Sequence, residues 1–201
     1  MDTNGEYDLL TTKYVLEVKR FSNDSDIGSY VDSSLREWLN NEFFNIAFDR
    51  AEKDIIVATT FTREDGHIEK SGSHNSKFVD RVFVLNKDEA KKYFKTNEDR
   101  KCYPTEYAKM LGAIKNNGAS SYWLRTPTKS KFYEIYVTSN GMILDSGASY
   151  VKDYIGVRPC ILIKIGDIPK NVIPTTTLIV APTARPTATP TATATATSVL
   201  A

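Results

Sequence analysis

The feature that most constrains the fold is an apolar segment near the C-terminus, Val157 to Ile165. Side chains alternate between the two faces of a strand, which places Ile161 and Ile163 on one face and Cys160 and Leu162 on the other. A strand that is apolar on both faces is usually buried on both. We therefore predict that this segment is a central strand and that the rest of the chain packs around it.

A β-hairpin is predicted just before this strand. The apolar runs Phe132–Val137 and Met142–Leu144 flank the tripeptide Ser139-Asn-Gly141. Asn-Gly between two apolar runs is a strong hairpin signal, because a type I′ turn needs positive φ at both of its central residues. The C-terminal half is accordingly predicted to form a small antiparallel sheet.

The clearest helix is predicted to begin at residue 34. Ser34 and Glu37 have the spacing of a capping box, in which the serine hydroxyl accepts from a free backbone N–H and the glutamate reaches back. The apolar stripe that follows at helical spacing consists of Leu35, Trp38, Leu39, Phe43 and Ile46. Stacking on a ligand is an alternative role for Trp38, but its place in the stripe favours a structural role. We assign the same structural role to Trp123, in a predicted strand.

Other patterns predict additional helices and strands, which together indicate an α+β fold. A short helix is predicted over Asp49–Ile55, Asn86 and Glu89 cap another, and Pro104-Thr-Glu106 opens one that ends at Asn116-Asn-Gly118. The side chains assigned to the core from these helices are Ala51, Ile55, Ile56, Ala90, Tyr93, Phe94, Tyr107, Ala108, Met110 and Leu111. The remaining assignments are a hairpin or long strand over Tyr7–Lys19, strands over Val57–Thr62 and Val79–Leu85, and a charged loop over Thr96–Tyr103.

The composition of the chain changes at Pro174. Residues 174–201 contain four prolines, ten threonines and a single charged side chain, Arg185. Such a segment has too little apolar bulk to offset its ordering entropy, so we predict a disordered Thr/Pro/Ala-rich linker or tail over residues 171–201. Residues 1–170 are then long enough for a single globular α+β domain. Thr/Pro-rich stretches are often glycosylated stalks on exported proteins, and a plain unmodified linker is the alternative.

The charge and hydropathy of the chain argue against several classes of protein. The 26 basic residues include Arg185, so outside the tail 25 basic residues balance 25 acidic ones, which argues against nucleic-acid binding. The N-terminus lacks the basic and apolar regions of a signal peptide, and no run reaches the roughly 18 apolar residues of a membrane span. We therefore expect no membrane insertion. The chain either stays inside the cell or is a fragment of an exported protein that has lost its leader.

No group of residues has the pattern of a catalytic or metal site. Cys102 and Cys160 lack zinc-site spacing and are predicted not to be bonded to each other. His67 and His74 lie in a loop rich in glycine and serine, where a metal site would lack fixed geometry. We therefore predict no metal and no cofactor, and the nucleophile-elbow, dinucleotide and P-loop motifs are missing as well. The acids Glu134, Asp145 and Asp153 are interpreted as solvated surface side chains.

Two arginines, Arg125 and Arg158, each lie close to a proline near the end of a predicted strand. A guanidinium can fork onto a carboxylate or donate to a free backbone carbonyl. We interpret both as structural side chains that tie two strands together, in preference to ligand-binding ones.

Six segments carry a resemblance to a known family. They are Leu9–Leu16, Ser33–Asn40, Phe43–Ile55, Asp80–Leu85, Tyr122–Pro127 and Gly156–Pro159. In this order they resemble a bacterial domain family of unknown function, family 6273, and the likeness covers residues 7 to 166. The family usually has serine at the position of Thr126 and alanine at that of Cys160, and it usually begins with one more strand. The resemblance implies a domain of exported bacterial proteins, often found beside surface modules.

A more distant similarity is to the C-type-lectin-like fold, which formylglycine-generating enzymes share. In that fold, helices precede a curled antiparallel sheet, and a Gly-aromatic-Arg strand closes the domain. Gly156-Val157-Arg158 stands at the corresponding place in this chain. The similarity implies a curled antiparallel sheet with two or three packed helices. It also implies that ligands meet the loops before the closing strand, which are Pro127–Lys131 and Asp145–Tyr154.

These resemblances lead us to predict a non-catalytic binding or adhesion module of a secreted or cell-surface protein, with further domains beyond the tail. Its partner would be a carbohydrate or protein ligand on a cell surface. The residues assigned to the ligand are Lys129, Lys131, Tyr150, Lys152 and Tyr154. The alternative for Tyr150 and Tyr154 is that they only cover the edge of the sheet. The alternatives for the whole domain are a structural spacer, or an enzyme like the formylglycine-generating group, which would need a close pair of reactive cysteines.

Overall fold

The fold is built on a five-stranded and a three-stranded sheet, and the helices of the described residues lie between Lys19 and Tyr122 in the chain. The computed structural model describes residues 7–23, 29–62, 77–113, 115–116, 118–128, 132–149 and 154–164. The predicted α+β class is confirmed. The predicted tail, residues 171–201, and both histidines lie outside the described residues. The division into a domain over 1–170 and a tail therefore stays a prediction.

The helices are α1 (Ser34–Trp38), α2 (Phe44–Ala47), α3 (Arg50–Ile55), α4 (Lys87–Tyr93), α5 (Asn97–Arg100) and α6 (Glu106–Met110). A 3₁₀ turn over Tyr30–Asp32 precedes α1, and a π-helical segment over Leu39–Phe43 joins α1 to α2. The strands are β1 (Tyr7–Thr11), β2 (Tyr14–Val15), β3 (Glu17–Lys19), β4 (Thr59–Thr62), β5 (Lys77–Asp80), β6 (Val82–Phe83), β7 (Tyr103–Pro104), β8 (Lys115–Asn116), β9 (Ala119–Ser120), β10 (Tyr122–Pro127), β11 (Tyr133–Val137), β12 (Ile143–Ser149), β13 (Ile155–Val157) and β14 (Cys160–Lys164).

The five-stranded sheet has the strand order β12-β11-β10-β13-β3. All of its neighbours are antiparallel except β10 and β13, which run parallel and pair at Tyr122 and Gly156. The prediction of a purely antiparallel sheet is therefore wrong at this one pair. Because β11 is antiparallel to both of its neighbours, β12 runs in the same direction as β10. Strand β13 lies on the other side of β10 and also runs in that direction.

The N-terminal segment runs antiparallel along the closing segment instead of forming its own hairpin. β1 pairs with β14 from Tyr7 and Lys164 to Thr11 and Cys160, and β3 pairs with β13. Between them, β2 pairs with β7 in a separate two-stranded sheet. The prediction of a hairpin or one long strand over Tyr7–Lys19 is therefore wrong, because these 13 positions divide among three sheets.

The closing strand β14 lies between β1 and β6 in the three-stranded sheet. Cys160, Leu162 and Ile163 are buried, so the prediction of a central buried strand is confirmed for the described residues. The segment is interrupted at Arg158-Pro159, and its two halves, β13 and β14, belong to different sheets. Periodicity could not show this break, because an apolar pattern says nothing about which partner each half pairs with.

Gly156 makes the close packing around β13 possible. A Cβ atom on this residue would lie 2.5 Å from the carbonyl oxygen of Ser121 and 2.5 Å from Cγ1 of Val15. Neither neighbour belongs to a flexible chain end, because one is backbone and the other is a fully buried side chain. Any larger residue would push β13 away from β10.

The predicted hairpin is confirmed as β11 and β12, but its loop has three residues. The Gly141 N–H donates to the Thr138 carbonyl at 2.8 Å, and the Thr138 N–H donates to Met142 at 2.8 Å. Gly141 has φ of 78°, and a Cβ on it would lie within 1.7 Å of the Asn97 carbonyl oxygen. Glycine is thus required both by the backbone conformation and by the contact with α5.

The long helical segment from Ser34 to Ala47 begins one residue away from the predicted cap. Ser33 is the N-cap, and its hydroxyl accepts from the Arg36 N–H at 3.1 Å. Leu35, Leu39 and Phe43 are buried as predicted. Ile46 is 52% exposed, which contradicts its assignment to the stripe, because the π-helical segment adds a residue to the turn and rotates the following residues.

The short helices differ more from expectation. The capping box of Asn86 and Glu89 is confirmed at α4, where Ala90 is buried but Tyr93 is 40% exposed. The predicted charged loop over Thr96–Tyr103 contains α5, which is capped by Thr96. Helix α6 ends before Gly112, well short of the predicted Asn116-Asn-Gly118, and residues 115–116 form β8. Further assignments to the core that are wrong are Ala51, Met110 and Leu111, all exposed.

The core lies between the five-stranded sheet and the helical segments. Trp123 on β10 is fully buried, and its indole N–H donates to the Lys19 carbonyl at 2.8 Å. The ring of Phe21 meets Trp123 edge-on, with ring centroids 5.4 Å apart. These contacts fix the position of β3 and of the residues after it, which border the cleft described below.

Candidate functional site

Most of the residues predicted to contact a ligand lie outside the described part of the chain. These are Lys129, Lys131, Tyr150 and Lys152. Tyr154, immediately before β13, is described and is 52% exposed. Whether the five residues lie together therefore stays a prediction, and Tyr154 is the one member whose surroundings can be given.

Tyr154 borders a cleft of about 450 Å³ between the helical segment 34–42 and strand β3. This cleft, called the Trp38–Tyr154 cleft below, is lined by Val18, Lys19, Arg20, Asn23, Ser34, Glu37, Trp38, Asn41, Glu42 and Tyr154. Ligand sites in proteins commonly have volumes of roughly 300–1,000 Å³. Its size is therefore suitable for a small ligand or for one segment of a larger one.

The helical wall of the cleft follows from residue spacing. Ser34, Glu37, Trp38, Asn41 and Glu42 recur at intervals of three, one, three and one, which brings them to one face of a helix. The buried residues of the same segment point into the core, so the polar face is left toward β3. Part of this wall is π-helical, and π-turns are frequent at functional sites.

Trp38 lies at the boundary between the core and the cleft. Its ring is half-buried, packs against the core and lies 5.1 Å from the ring of Phe43. The Lys19 ammonium lies 4.4 Å from the ring centroid. The tryptophan thus has structural contacts of the kind predicted from the sequence, and it also presents part of its ring to the cleft.

The second ring of the cleft, Tyr154, is likewise covered by a cation. The Arg20 guanidinium lies 4.8 Å from the centroid of this ring. Neither Lys19 nor Arg20 forms a salt bridge with a described residue, and the side-chain Nε of Arg20 is buried without a hydrogen-bond partner. A cation above an aromatic ring is attracted by the ring quadrupole, which holds it without neutralising its charge.

Acidic residues face these cations from the helical wall. Within the described residues, the side chains of Glu37 and Glu42 form neither a hydrogen bond nor an ion pair. Burial is the main cause that raises the pKa of Glu17 on β3. The negative charge of Glu42 raises this pKa further, and the positive charge of Lys19 lowers it. Burial raises the pKa of Tyr107, and the negative charges of Glu17 and Glu42 raise it further.

Arg125, one of the two arginines predicted to be structural, lies in the interior. It forks onto Glu89 of α4 with two hydrogen bonds of 2.7 and 2.6 Å, and it donates to the Val84 carbonyl at 2.6 Å. Its guanidinium lies 4.4 Å from the ring centroid of Phe61. The side chain joins β10 to the N-terminal turn of α4.

Arg158 has no carboxylate partner among the described residues. Its Nε donates to the Thr12 carbonyl at 3.0 Å, and Nη1 donates to the Tyr122 hydroxyl at 3.4 Å. The guanidinium lies 4.4 Å from the ring centroid of Phe94. It joins the end of β13 to the turn between β1 and β2.

Both cysteines are buried and free, so the prediction that they are not bonded to each other is confirmed. Cys102 lies in the connection between α5 and β7, where it forms an isolated β-bridge with Ser120. It is 1% exposed, and its thiol donates to the Lys13 carbonyl at 3.4 Å. Burial raises the pKa of Cys102 and of Cys160 to about 11. A thiol with such a pKa is almost entirely protonated at neutral pH and is a poor nucleophile.

Two carboxyl groups are buried in unfavourable surroundings. The interpretation of Glu134 as a solvated acid is wrong, because it is fully buried and burial raises its pKa well above the usual range. Neither of its oxygens has a hydrogen-bond partner within the described part of the chain. Burial also raises the pKa of Asp80 to about 6, although the Arg36 guanidinium at 2.7 Å opposes the shift. Asp145 is exposed and pairs with Lys87, as expected for a surface acid, and Asp153 lies outside the described residues.

Within the described residues, no group of three or more His, Cys, Asp or Glu side chains could hold a metal ion. No helix in the described ranges is long and apolar enough to cross a membrane.

The architecture and the cleft define an α+β domain with a mixed-charge, partly aromatic surface cleft. The chain belongs to the family described as Domain of unknown function (DUF6273), whose model matches residues 5–165. No curated protein and no solved structure matches it significantly. The resemblance seen in the sequence is thereby confirmed at the level of this family.

The sequence patterns did not single out Lys19, Arg20, Glu37, Asn41 or Glu42 as site residues. One signal was available in the sequence, namely the polar residues at positions 34, 37, 41 and 42, which share a helical face with Trp38. The arginine and lysine after Val18 give no such signal, because only the fold brings them opposite that face.

Proposed function

We propose that this chain is a non-catalytic binding or adhesion module of a secreted or cell-surface bacterial protein, and that its ligand binds in the Trp38–Tyr154 cleft. The observation that carries the proposal is the state of the polar groups there. Lys19, Arg20, Glu37 and Glu42 all line one cleft and form no ion pair with a described residue. Charged groups around a partly aromatic cleft are available to a ligand.

A C-type-lectin-like fold is part of this proposal. In support, several helices precede four of the five strands of the five-stranded sheet, β10 to β13, and Gly156-Val157-Arg158 comes shortly before the closing strand β14. Tyr154 stands immediately before β13, in the region where domains of this fold meet their ligands. The likeness concerns the fold, and function must still be argued from the cleft.

The two alternatives receive less support. A formylglycine-generating type of enzyme needs reactive cysteines, whereas Cys102 and Cys160 are buried with pKa values raised to about 11. A structural spacer would need no cleft in which four charged side chains lack ion-pair partners among the described residues. The carbohydrate or protein nature of the ligand, the exported location and the presence of further domains belong to the proposal as well.

A binding screen with matched tyrosine variants tests the proposal. The full chain would be screened against immobilised glycans, soluble cell-wall fragments and surface proteins, and hits measured by calorimetry. Tyr154→Ala should weaken binding at least about tenfold. Tyr93→Ala is the matched control, because Tyr93 is also exposed and also lies under a cation, Lys92, 5.7 Å from the ring centroid.

Tyr150→Ala separates the cleft from the predicted loop patch. If the ligand uses Tyr150 together with Lys129, Lys131 and Lys152, this variant and Tyr154→Ala should weaken binding equally. If the cleft is the site, Tyr154→Ala should have the larger effect. Unchanged binding by a folded Tyr154→Ala variant would rule out both locations.

A further inference from the structure

The Trp38–Tyr154 cleft is divided by the sign of charge. Its strand side carries Lys19 and Arg20, and its helical side carries Glu37 and Glu42. Within the described residues, no nitrogen of the two cations lies within ion-pair distance of an oxygen of the two acids. Among the described residues, Glu17 also feels the charge of Lys19, and the two form no salt bridge.

Each of the two cations lies over an aromatic ring of the cleft. Lys19 lies over Trp38 and Arg20 lies over Tyr154, at 4.4 and 4.8 Å from the ring centroids. Cation–π contacts of this kind keep the full positive charge while restricting where the side chain can go. No described residue supplies a hydrogen-bond acceptor to the buried Nε of Arg20. Opposite charges thus line one small volume without forming an ion pair among the described residues.

This arrangement discriminates between ligands by their charge distribution. A ligand with one sign of charge gains from one wall and is repelled by the other. A neutral ligand must displace water from charged groups without supplying a counter-charge. A ligand that carries a carboxylate and an ammonium can form charge-assisted hydrogen bonds with both walls at once, and those are the stronger kind.

We infer that the ligand of this cleft is a small zwitterion of the amino-acid or short-peptide class. Its carboxylate binds Arg20 and Lys19, and its ammonium binds Glu37 and Glu42. The Asn41 amide, which has no side-chain partner within the described residues, can bond a peptide group between the two ends. The inference rests on the proposed function and names the ligand class for the same cleft.

Capped peptides test the two charges separately. The full chain would be titrated with tri-alanine, N-acetyl-tri-alanine, tri-alanine amide and the neutral sugar N-acetylchitotriose, following the Trp38 indole N–H by NMR and the affinity by calorimetry. Tri-alanine should bind, and each cap should weaken binding by about tenfold or more, the usual effect of losing one charge-assisted hydrogen bond. The sugar should leave the Trp38 resonance unchanged.

Variants assign each charge to its wall. Arg20→Gln should weaken tri-alanine but should not weaken tri-alanine amide further, because the same interaction is already missing. Glu37→Gln combined with Glu42→Gln should behave in the same way toward N-acetyl-tri-alanine. Lys92→Gln, which removes a cation from above Tyr93 outside the cleft, should change neither affinity.

The outcomes separate this inference from the proposed function. If N-acetylchitotriose or another neutral probe binds and Tyr154→Ala abolishes that binding, the module binds through the cleft but the zwitterion inference is wrong. If capping either end leaves the affinity for tri-alanine unchanged, the inference is also wrong. If neither the peptides nor the glycan, cell-wall and protein panel binds at the cleft, both are wrong.

Discussion

Arg125 in the interior and Arg20 at the cleft both lie over an aromatic ring, at 4.4 and 4.8 Å from its centroid. Arg125 also has a carboxylate, Glu89, and a backbone carbonyl as partners. Arg20 has no such partner among the described residues, and neither has Lys19 beside it. The charge of Arg125 is therefore neutralised by a carboxylate in the interior, whereas the charge of Arg20 is available to a ligand at the cleft.

The difference indicates where stability and binding reside in this molecule. A buried charge must be paired, since leaving it alone costs several kcal/mol of the free energy of unfolding. A half-exposed charge can stay unpaired at little cost, because water screens it. We therefore expect substitutions around Arg125 to change stability, and substitutions around Arg20 to change ligand binding with little effect on stability.

The largest effect is expected for Glu89→Gln. The variant keeps an oxygen that can accept from the Asn86 N–H but removes the negative charge opposite buried Arg125. The free energy of unfolding should fall by about 3–5 kcal/mol, as for other buried pairs that lose one partner. Urea unfolding would measure it. Glu98→Gln, at the exposed pair with Lys101, is the matched control and should leave stability unchanged. Equal effects in the two variants would contradict the comparison.

A smaller loss is expected for Arg158→Met, because Arg158 donates to a carbonyl and a hydroxyl and has no described carboxylate partner. The variant keeps much of the apolar stem beside Phe94 and removes the charge together with both hydrogen bonds. We expect a loss of about 1–3 kcal/mol in urea unfolding. A loss as large as that of Glu89→Gln would mean that pairing with a carboxylate is not what distinguishes the interior.

Glu134 is an interior carboxyl group without a hydrogen-bond partner among the described residues, and it predicts a dependence of stability on pH. Its pKa is raised in the folded state, so the contribution is fully present below the ordinary value of 4.5 and is lost as pH rises through the raised value. Wild-type stability should therefore fall with rising pH, and Glu134→Gln should remove that part of the fall. The raised pKa of Asp80 also makes stability fall with rising pH, between pH 3.8 and about 6. The Glu134→Gln substitution should leave that part of the pH dependence unchanged.

Urea unfolding of both proteins at several pH values between 4 and 9 would check this prediction. Asp145→Gln, at an exposed carboxylate paired with Lys87, is the control and should leave the pH dependence as in the wild type. A wild type that becomes more stable as pH rises, or a Glu134→Gln variant with an unchanged slope, would contradict it.

The smallest effect on stability is expected in the cleft. Lys19→Gln and Glu37→Gln should each change the free energy of unfolding by no more than about 0.5 kcal/mol, the usual range for surface substitutions. Both should still weaken ligand binding measurably. Thermal unfolding would measure the change in stability, and calorimetry would measure the change in ligand affinity. A loss of stability above about 2 kcal/mol would show that the cleft charges are structural.

Local patterns determined much of this fold. The two-faced apolar pattern identified β14 as a central strand, Asn-Gly located the hairpin of β11 and β12, and the spacing of Asn86 and Glu89 located α4. These signals are reliable because each depends on neighbours within a few residues, where backbone conformation and side-chain spacing are directly linked. Trp38, which borders the cleft, was also noticed in this way.

The pairing of the strands and the contacts of the charged side chains depend on the tertiary structure. The division of residues 7–19 among three sheets, the parallel pairing of β10 with β13 and the burial of Glu134 all depend on residues far apart in the chain. The same is true of the cleft, where Arg20 meets Tyr154, 134 positions later in the sequence. No local sequence pattern predicts contacts between residues so far apart in the chain, because these contacts result from the packing of whole helices and strands on one another.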